Sequence, residues 1–261
     1  VQSPYPPAEH ITALAEHAAA LAVAAEAAGL SAPVPACPGW CVEQLVRHTG
    51  YVHRWVAGVL RTGGDAPPAE DDADEVVAAA GPADPDDLPG WFRDGWTDLV
   101  ALLRAIPDDH RAWYFLPAPT ARGFWARRMA NETAVHRADA EAAAGRRTSF
   151  APAFASDGLD ELIMSFGARS ARRWHDSEAV VVTASATDTG DCWSVRSGPE
   201  GGSVSRGLAE QLGPARHADL RGPASELYLF LWNRGGRDGL AVGGDPSVLD
   251  WWAEHVRVRW S

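Results

Sequence analysis

The sequence predicts an α+β protein in which an N-terminal four-helix bundle is followed by a smaller α+β domain. Four segments with apolar residues spaced three and four apart occupy roughly the first 145 residues, the pattern of helices that bury one face against each other. After Trp174 the period shortens to two and turn residues crowd in, as expected of a sheet. With 261 residues, 46% of them hydrophobic and 22% charged, there is enough apolar material for two modest cores. The join is expected near residue 176, dividing the chain into 1–176 and 177–261.

Each element follows from its own residues. The first helix spans residues 8–29, carries Ile11, Leu14, Ala18 and Leu21 in an Ala-rich setting, and stops at Gly29. The second starts after the turn-rich stretch Ser31 to Gly39 and runs through Leu45, Val46, Thr49, Val52, Trp55, Val56 and Leu60 to about Gly63. Residues 62–90 hold nine acids, five Pro and no Arg, so they read as a solvated loop that contributes little to stability. The third helix covers Trp91 to Ile106 and is closed by Pro107; the fourth covers about Ala121 to Ala144 and ends at Gly145. A fifth, Asp157 to Trp174, leads into a β-meander built from Ala179 to Ala186 and Cys192 to Arg196, with turns at residues 187–191 and 198–202. Gly222-Pro223 opens a helix over Ala224 to Trp232, Leu240 to Val242 is a short strand, and Asp245-Pro246 caps a last helix through Trp252.

A net charge of −12 repels phosphate backbones and anionic lipid surfaces, which argues against nucleic-acid and peripheral membrane roles. All 23 basic residues are Arg, so lysine Schiff-base chemistry is excluded. Three Cys do not make a disulfide scaffold, no leader-like n-region and h-region opens the chain, and no apolar run approaches 18 residues; a cytoplasmic location is expected.

The chemistry-bearing residues lie mostly on the second and fourth helices. Glu132 and His136 are four apart, hence one above the other on a face shared with Trp125 and Met129. The alternative is a solvated or core-satisfying pair. His48, between Leu45 and Val52, faces inward too, either as a core histidine bonded to a carbonyl or as a functional group. Were the two helices neighbours, His48, Glu132 and His136 would converge, and three such ligands with a free position describe a catalytic zinc. Asp139, one turn past His136, either orients that imidazole or partners a nearby Arg. His53 is expected near the surface, and His10 and His17 in solvent. Cys37 and Cys41 are too far apart for a Cys-x-x-Cys motif; Cys41 opens a helix, as a packing residue or a reactive thiol.

Three separated motifs then resemble one family. Cys37-Pro38-Gly39-Trp40 with Leu45-Val46-Arg47-His48, the stretch from Arg127 through Glu132-Thr133-Ala134-Val135-His136 to Ala140, and Leu220-Arg221-Gly222-Pro223 through Leu231-Trp232 look like the mycothiol-dependent maleylpyruvate isomerase family. The resemblance implies a DinB-like bundle, a divalent metal, usually zinc, on His48, Glu132 and His136, and mycothiol as cosubstrate. It further implies a second-domain arginine that holds the substrate; Arg234 is the first candidate and Arg221 the second. Asn131 stands where many relatives have His and Ala138 where many have Trp, departures expected to enlarge or repolarise the pocket beside the Glu132 and His136 pair.

Three functions fit: an isomerase or S-transferase in which a metal-activated thiolate attacks a small electrophilic, anionic substrate; a specialised-metabolism enzyme using the metal as Lewis acid or without thiol dependence; and a non-catalytic small-molecule or metal binder.

Overall fold

A computed structural model describes residues 5–67, 81–208 and 215–256. One compact unit ends at Thr148 and the next begins at Ser149. The N-terminal unit is the expected four-helix bundle: α1 (Pro7–Ala28), α2 (Val42–Thr62), α3 (Leu88–Ala105) and α4 (Ala121–Ala143). Gly63 ends α2 at φ 68°, and Gly145 at φ 69° turns the chain after α4, the left-handed conformation that glycine reaches without a Cβ penalty.

Side-chain pairings give the helix directions. Pro7 lies near Gly123 and His17 bonds Arg137, so α1 and α4 run parallel. His48 meets Glu132 while Trp55 meets Trp125, so α2 runs against α4. Gly50 touches Trp91 and Arg61 pairs with Asp98, so α2 and α3 are parallel. Parallel neighbours need a return crossover about the length of a helix; at 1.5 Å per residue the 21 residues of α2 cover about 31 Å. The acidic stretch joins the two helices. Its residues 68–80 lie outside the described ones, but its far end is held in place: Arg47 Nη1 donates to the Pro82 carbonyl at 3.0 Å, a 3-10 turn forms over Pro85–Asp87, and α3 starts at Leu88, earlier than its sequence signal, with that leucine fully buried.

The bundle core contains Ala18, Leu21 and Ala24 of α1, Val42, Leu45 and Val46 of α2, Leu88 and Phe92 of α3, and Ala140 of α4. An 18-residue window of the Ala-rich α1 reaches mean hydropathy 1.3, enough by length and composition to cross a bilayer, although no uninterrupted apolar run was expected to approach that length. In the fold Ile11, Leu14, Ala18 and Leu21 of this helix are buried within the bundle.

The C-terminal unit holds α5 (Pro152–Asp160), continued by a π-helical stretch Glu161–Gly167 and a last turn Ala168–Ala171, then β1 (Val180–Ala186), β2 (Cys192–Ser197), β3 (Ser203–Arg206), β4 (Arg216–Gly222), α6 (Ala224–Leu231), β5 (Ala241–Gly244) and α7 (Val248–His255). The fifth helix, expected as a link before a join near residue 176, lies within this unit, where α5 packs against α6. The sheet order is β3-β2-β1-β4-β5. The expected strands β1 and β2 pair antiparallel, β3, which the spacing did not mark, extends the meander antiparallel to β2, β1 pairs parallel with β4, and β5 closes the other edge antiparallel to β4. Val180, Val181, Val182 and Ala184 of β1 are all buried, which suits a central strand covered on both faces. The strand β4 was missed by the sequence reading because its alternation rests on Ala218, Leu220 and Gly222, too little apolar bulk to stand out.

Candidate metal centre

Local sequence sets the level of the site on each helix. α2 begins at Cys41, whose side chain accepts from the backbone of Gln44 while its own N–H donates to Gln44 Oε1 at 2.9 Å, a reciprocal cap that leaves His48 two turns into the helix. Cys41 therefore serves as an N-cap. α4 begins at Thr120, whose hydroxyl accepts from Gly123 N at 3.0 Å. From there Arg128, Glu132 and His136 follow at intervals of four, a polar stripe down an otherwise apolar face.

The structure brings His48, Glu132 and His136 together, all buried, with one ligand atom from each within 4.8 Å of the others. His136 Nε2 lies 3.1 Å and His48 Nε2 3.4 Å from the same oxygen, Glu132 Oε1. The two imidazoles meet edge to face at 5.1 Å, and the Trp40 ring also stands 5.1 Å from His48. Arg128 Nη2 donates to the second oxygen, Glu132 Oε2, at 3.1 Å. Asp139 Oδ2 accepts from His136 Nδ1 at 2.9 Å, which turns Nε2 toward Glu132, where it donates to Oε1 and is the nitrogen a cation would meet on displacing that proton. The Cys37 thiol points at the same Asp139 oxygen from 3.7 Å, carried there by the tight loop whose Pro33 and Cys41 form a β-bridge.

Electrostatics follow this geometry. Burial alone would raise the Glu132 carboxyl, but hydrogen bonds from His136 and His48 and the charge of Arg128 hold it well below the usual carboxylate range. Burial opposes a charged His136 as well; its bonds to Asp139 and Glu132 outweigh that and raise it to about 9. Two imidazole nitrogens and a carboxylate oxygen converging in a buried space suit a divalent cation, since such a charge would replace the proton that the cluster otherwise attracts.

Three histidines are placed differently from expectation. His53 is fully buried, with Nε2 2.8 Å from Thr133 Oγ1 and its ring 5.8 Å from Phe92. α2 packs on α4 along one side and on α3 along another, so its buried arc is wider than one stripe. Burial pushes the His53 imidazole down to about 3. His10 and His17 are buried too, because α1 lies against both α4 and α3. His17 Nδ1 faces Arg137 Nη1 at 3.3 Å, and burial followed by that cation lowers His17 to about 3.

Other candidates stand as follows. Asn131 Nδ2 donates to the Arg127 carbonyl of its own helix at 3.2 Å, and Ala138 is buried. Arg234, in the C-terminal unit, follows Asn233 (φ 60°) at the end of α6 and donates from Nη1 to the Trp232 carbonyl at 2.9 Å. Arg221 is exposed on β4. Arg128 escaped the sequence reading, although an Arg-x-x-x-Glu-x-x-x-His spacing was there to be read as a single helical stripe.

Comparison with known proteins bears on the fold and the family. A crystal structure of the mycothiol-dependent maleylpyruvate isomerase has a TM-score of 0.61 at 16% identity, covering 92% of this chain and 94% of its own. A histidine-to-alanine mutant of that isomerase gives a TM-score of 0.62 at 15% identity over the same shares. At that identity the likeness concerns the fold. No curated protein matches the sequence significantly. The model of the mycothiol maleylpyruvate isomerase N-terminal domain matches residues 3–141, which cover α1 to α3, all but the last two residues of α4, and His48, Glu132 and His136; the chain belongs to that family.

Proposed function

We propose that this protein is a metal-dependent enzyme that uses mycothiol to isomerise, or to transfer its sulfur to, a small anionic electrophile. The observation that carries the reading is the convergence of His48, Glu132 and His136, whose ligand atoms lie within 4.8 Å of one another in a buried setting. Zinc held by these three residues would keep an open position and stabilise a thiol there as the thiolate. Asp139 fixes His136 in the tautomer that offers Nε2, and its mutation is expected to weaken metal binding. Trp40 and the Cys37 loop lie against the cluster, Trp40 on His48 and Cys37 on Asp139.

For isomerisation, the sulfur adds to an activated carbon–carbon double bond, the former double bond turns as a single bond, and the sulfur leaves with restoration of the alkene. For transfer, the sulfur stays attached and a proton from the solvent quenches the enolate that the addition forms. The proposed division of labour gives metal and thiol to the bundle and the substrate anion to an arginine of the C-terminal unit, with Arg234 first and Arg221 second; a planar guanidinium suits a carboxylate better than a point charge does. A cytoplasmic location, where low-molecular-weight thiols stay reduced, belongs to the same reading.

Metal analysis of protein purified without chelator, joined to turnover of a panel of electrophiles with and without mycothiol, tests the proposal. One divalent metal per chain and thiol-dependent turnover are expected. Turnover independent of thiol would instead mark a Lewis-acid enzyme on this scaffold, and binding without turnover a sequestering protein.

A further inference from the structure

Arg128 is a full helical turn before Glu132 and has no exposed surface. Stability does not account for it. An i, i+4 pair is more favourable in an isolated helix when the acid precedes the base, the reverse of the order here. Taking both charges out of water is costly, and a buried pair is often replaceable by apolar residues without loss of stability. What the pair does is divide the Glu132 carboxylate. Oε1 is left to the two imidazole nitrogens, at 3.1 and 3.4 Å, while Oε2 is engaged by the guanidinium at 3.1 Å.

We infer that Arg128 is a positioning residue which, by holding Glu132 Oε2, makes this carboxylate a one-oxygen ligand and so keeps a coordination position open beside His48 and His136. The inference rests on the metal reading above. A carboxylate can bind a cation through one oxygen or both, and a buried side chain with nothing on its second oxygen would turn both toward a divalent ion. The second oxygen would then take the position a thiol needs. With a guanidinium on Oε2, rotation of the carboxylate breaks a charge-assisted hydrogen bond inside the bundle, where water cannot replace it.

The test uses the full chain with zinc and with cobalt(II), whose visible absorption is intense in four-coordinate sites and weak in five- or six-coordinate ones. Zinc affinity is read by competition with a chelator, and folding of the metal-free proteins by thermal melting. Wild type is expected to bind one metal with the intense spectrum. Arg128→Met is expected to lose cobalt intensity and to change zinc affinity by about 10-fold to 100-fold, the usual consequence of removing a partner of a ligand. Arg128→Lys, whose ammonium keeps the charge without the fork, should shift the spectrum in the same direction by less, and it serves as the folded variant if the Met protein does not fold. Wild-type spectrum and zinc affinity in a folded Arg128 variant, even one with a lowered melting temperature, would overturn the inference and leave Arg128 as a structural residue. Wild-type protein that takes up neither ion would overturn the metal reading itself, and this inference with it.

Discussion

Glu132 is the residue on which the site turns, because its two oxygens answer to different neighbours: Oε1 to His48 and His136, Oε2 to Arg128. Removing a histidine takes away a ligand, so His136→Ala or His48→Ala should leave protein without bound metal, as elemental analysis would show. Asp139→Asn keeps the shape but weakens the acceptor for His136 Nδ1; zinc affinity should fall about 10-fold to 100-fold. Unchanged affinity would mean that Asp139 serves packing alone. His17 offers a separate check on burial. Its folded-state value of about 3 lies below the ordinary 6.5, so below pH 6.5 the unfolded chain takes up a proton that the folded chain refuses. Its penalty is absent above pH 6.5 and grows by about 1.4 kcal/mol per unit as pH falls toward 3. Denaturant unfolding between pH 7 and pH 5 should show this slope added to that of His53, which burial also lowers to about 3, and His17→Gln should remove the His17 share and leave the rest. The burial of His10, His17 and His53 was not legible in the sequence, because helical periodicity marks one apolar stripe and is blind to how many neighbours a helix will have.

At the scale of elements, the α2–α3 contact depends on a missing side chain. A Cβ at Gly50 would stand 2.3 Å from a ring carbon of Trp91, and the ring is boxed in by Arg54, whose guanidinium sits 4.0 Å above it. Gly50→Ala should therefore destabilise the bundle by about 1–3 kcal/mol, the usual penalty of overpacking, read as a lower denaturant midpoint. A wild-type midpoint would mean that Trp91 has room to move. Thr120→Ala removes the α4 cap and should cost about 1 kcal/mol. These elements were legible from spacing and caps, whereas the pairing of α2 with α3 and the strand β4 were not. Both depend on residues far apart in sequence, and β4 carries too little apolar bulk to announce itself.

For the whole molecule, the proposed separation of tasks between the units gives Arg234→Ala a distinct signature. It should keep the metal and chiefly impair substrate use, whereas His136→Ala loses metal and turnover together. Full activity in the Arg234 variant, with Arg221→Ala impaired instead, would move the anion-binding role to β4. Composition separately predicts that limited proteolysis cuts first within the acid-rich residues 62–90. Because Arg47 holds the Pro82 carbonyl and Leu88 is buried, cuts should concentrate before residue 82. A first cut near residue 176 would contradict this.

The sequence by itself determined the two-part α+β plan and the four bundle helices, because periodicity and caps are local properties; spacing put Glu132 and His136 on one face and His48 on an inward one, and the family resemblance implied all three as ligands. Tertiary structure alone decided that α2 runs against α4 at the level where those three side chains meet, and that α2 lies parallel to α3 so that a long acidic return is needed. It also decided that the fifth helix packs with the second unit, and that Arg128 sits on the far oxygen of Glu132. The reason is physical: a one-dimensional pattern fixes which face of a helix is buried, while the partner of that face, and the charges it must accommodate there, are set by long-range packing that no local spacing encodes.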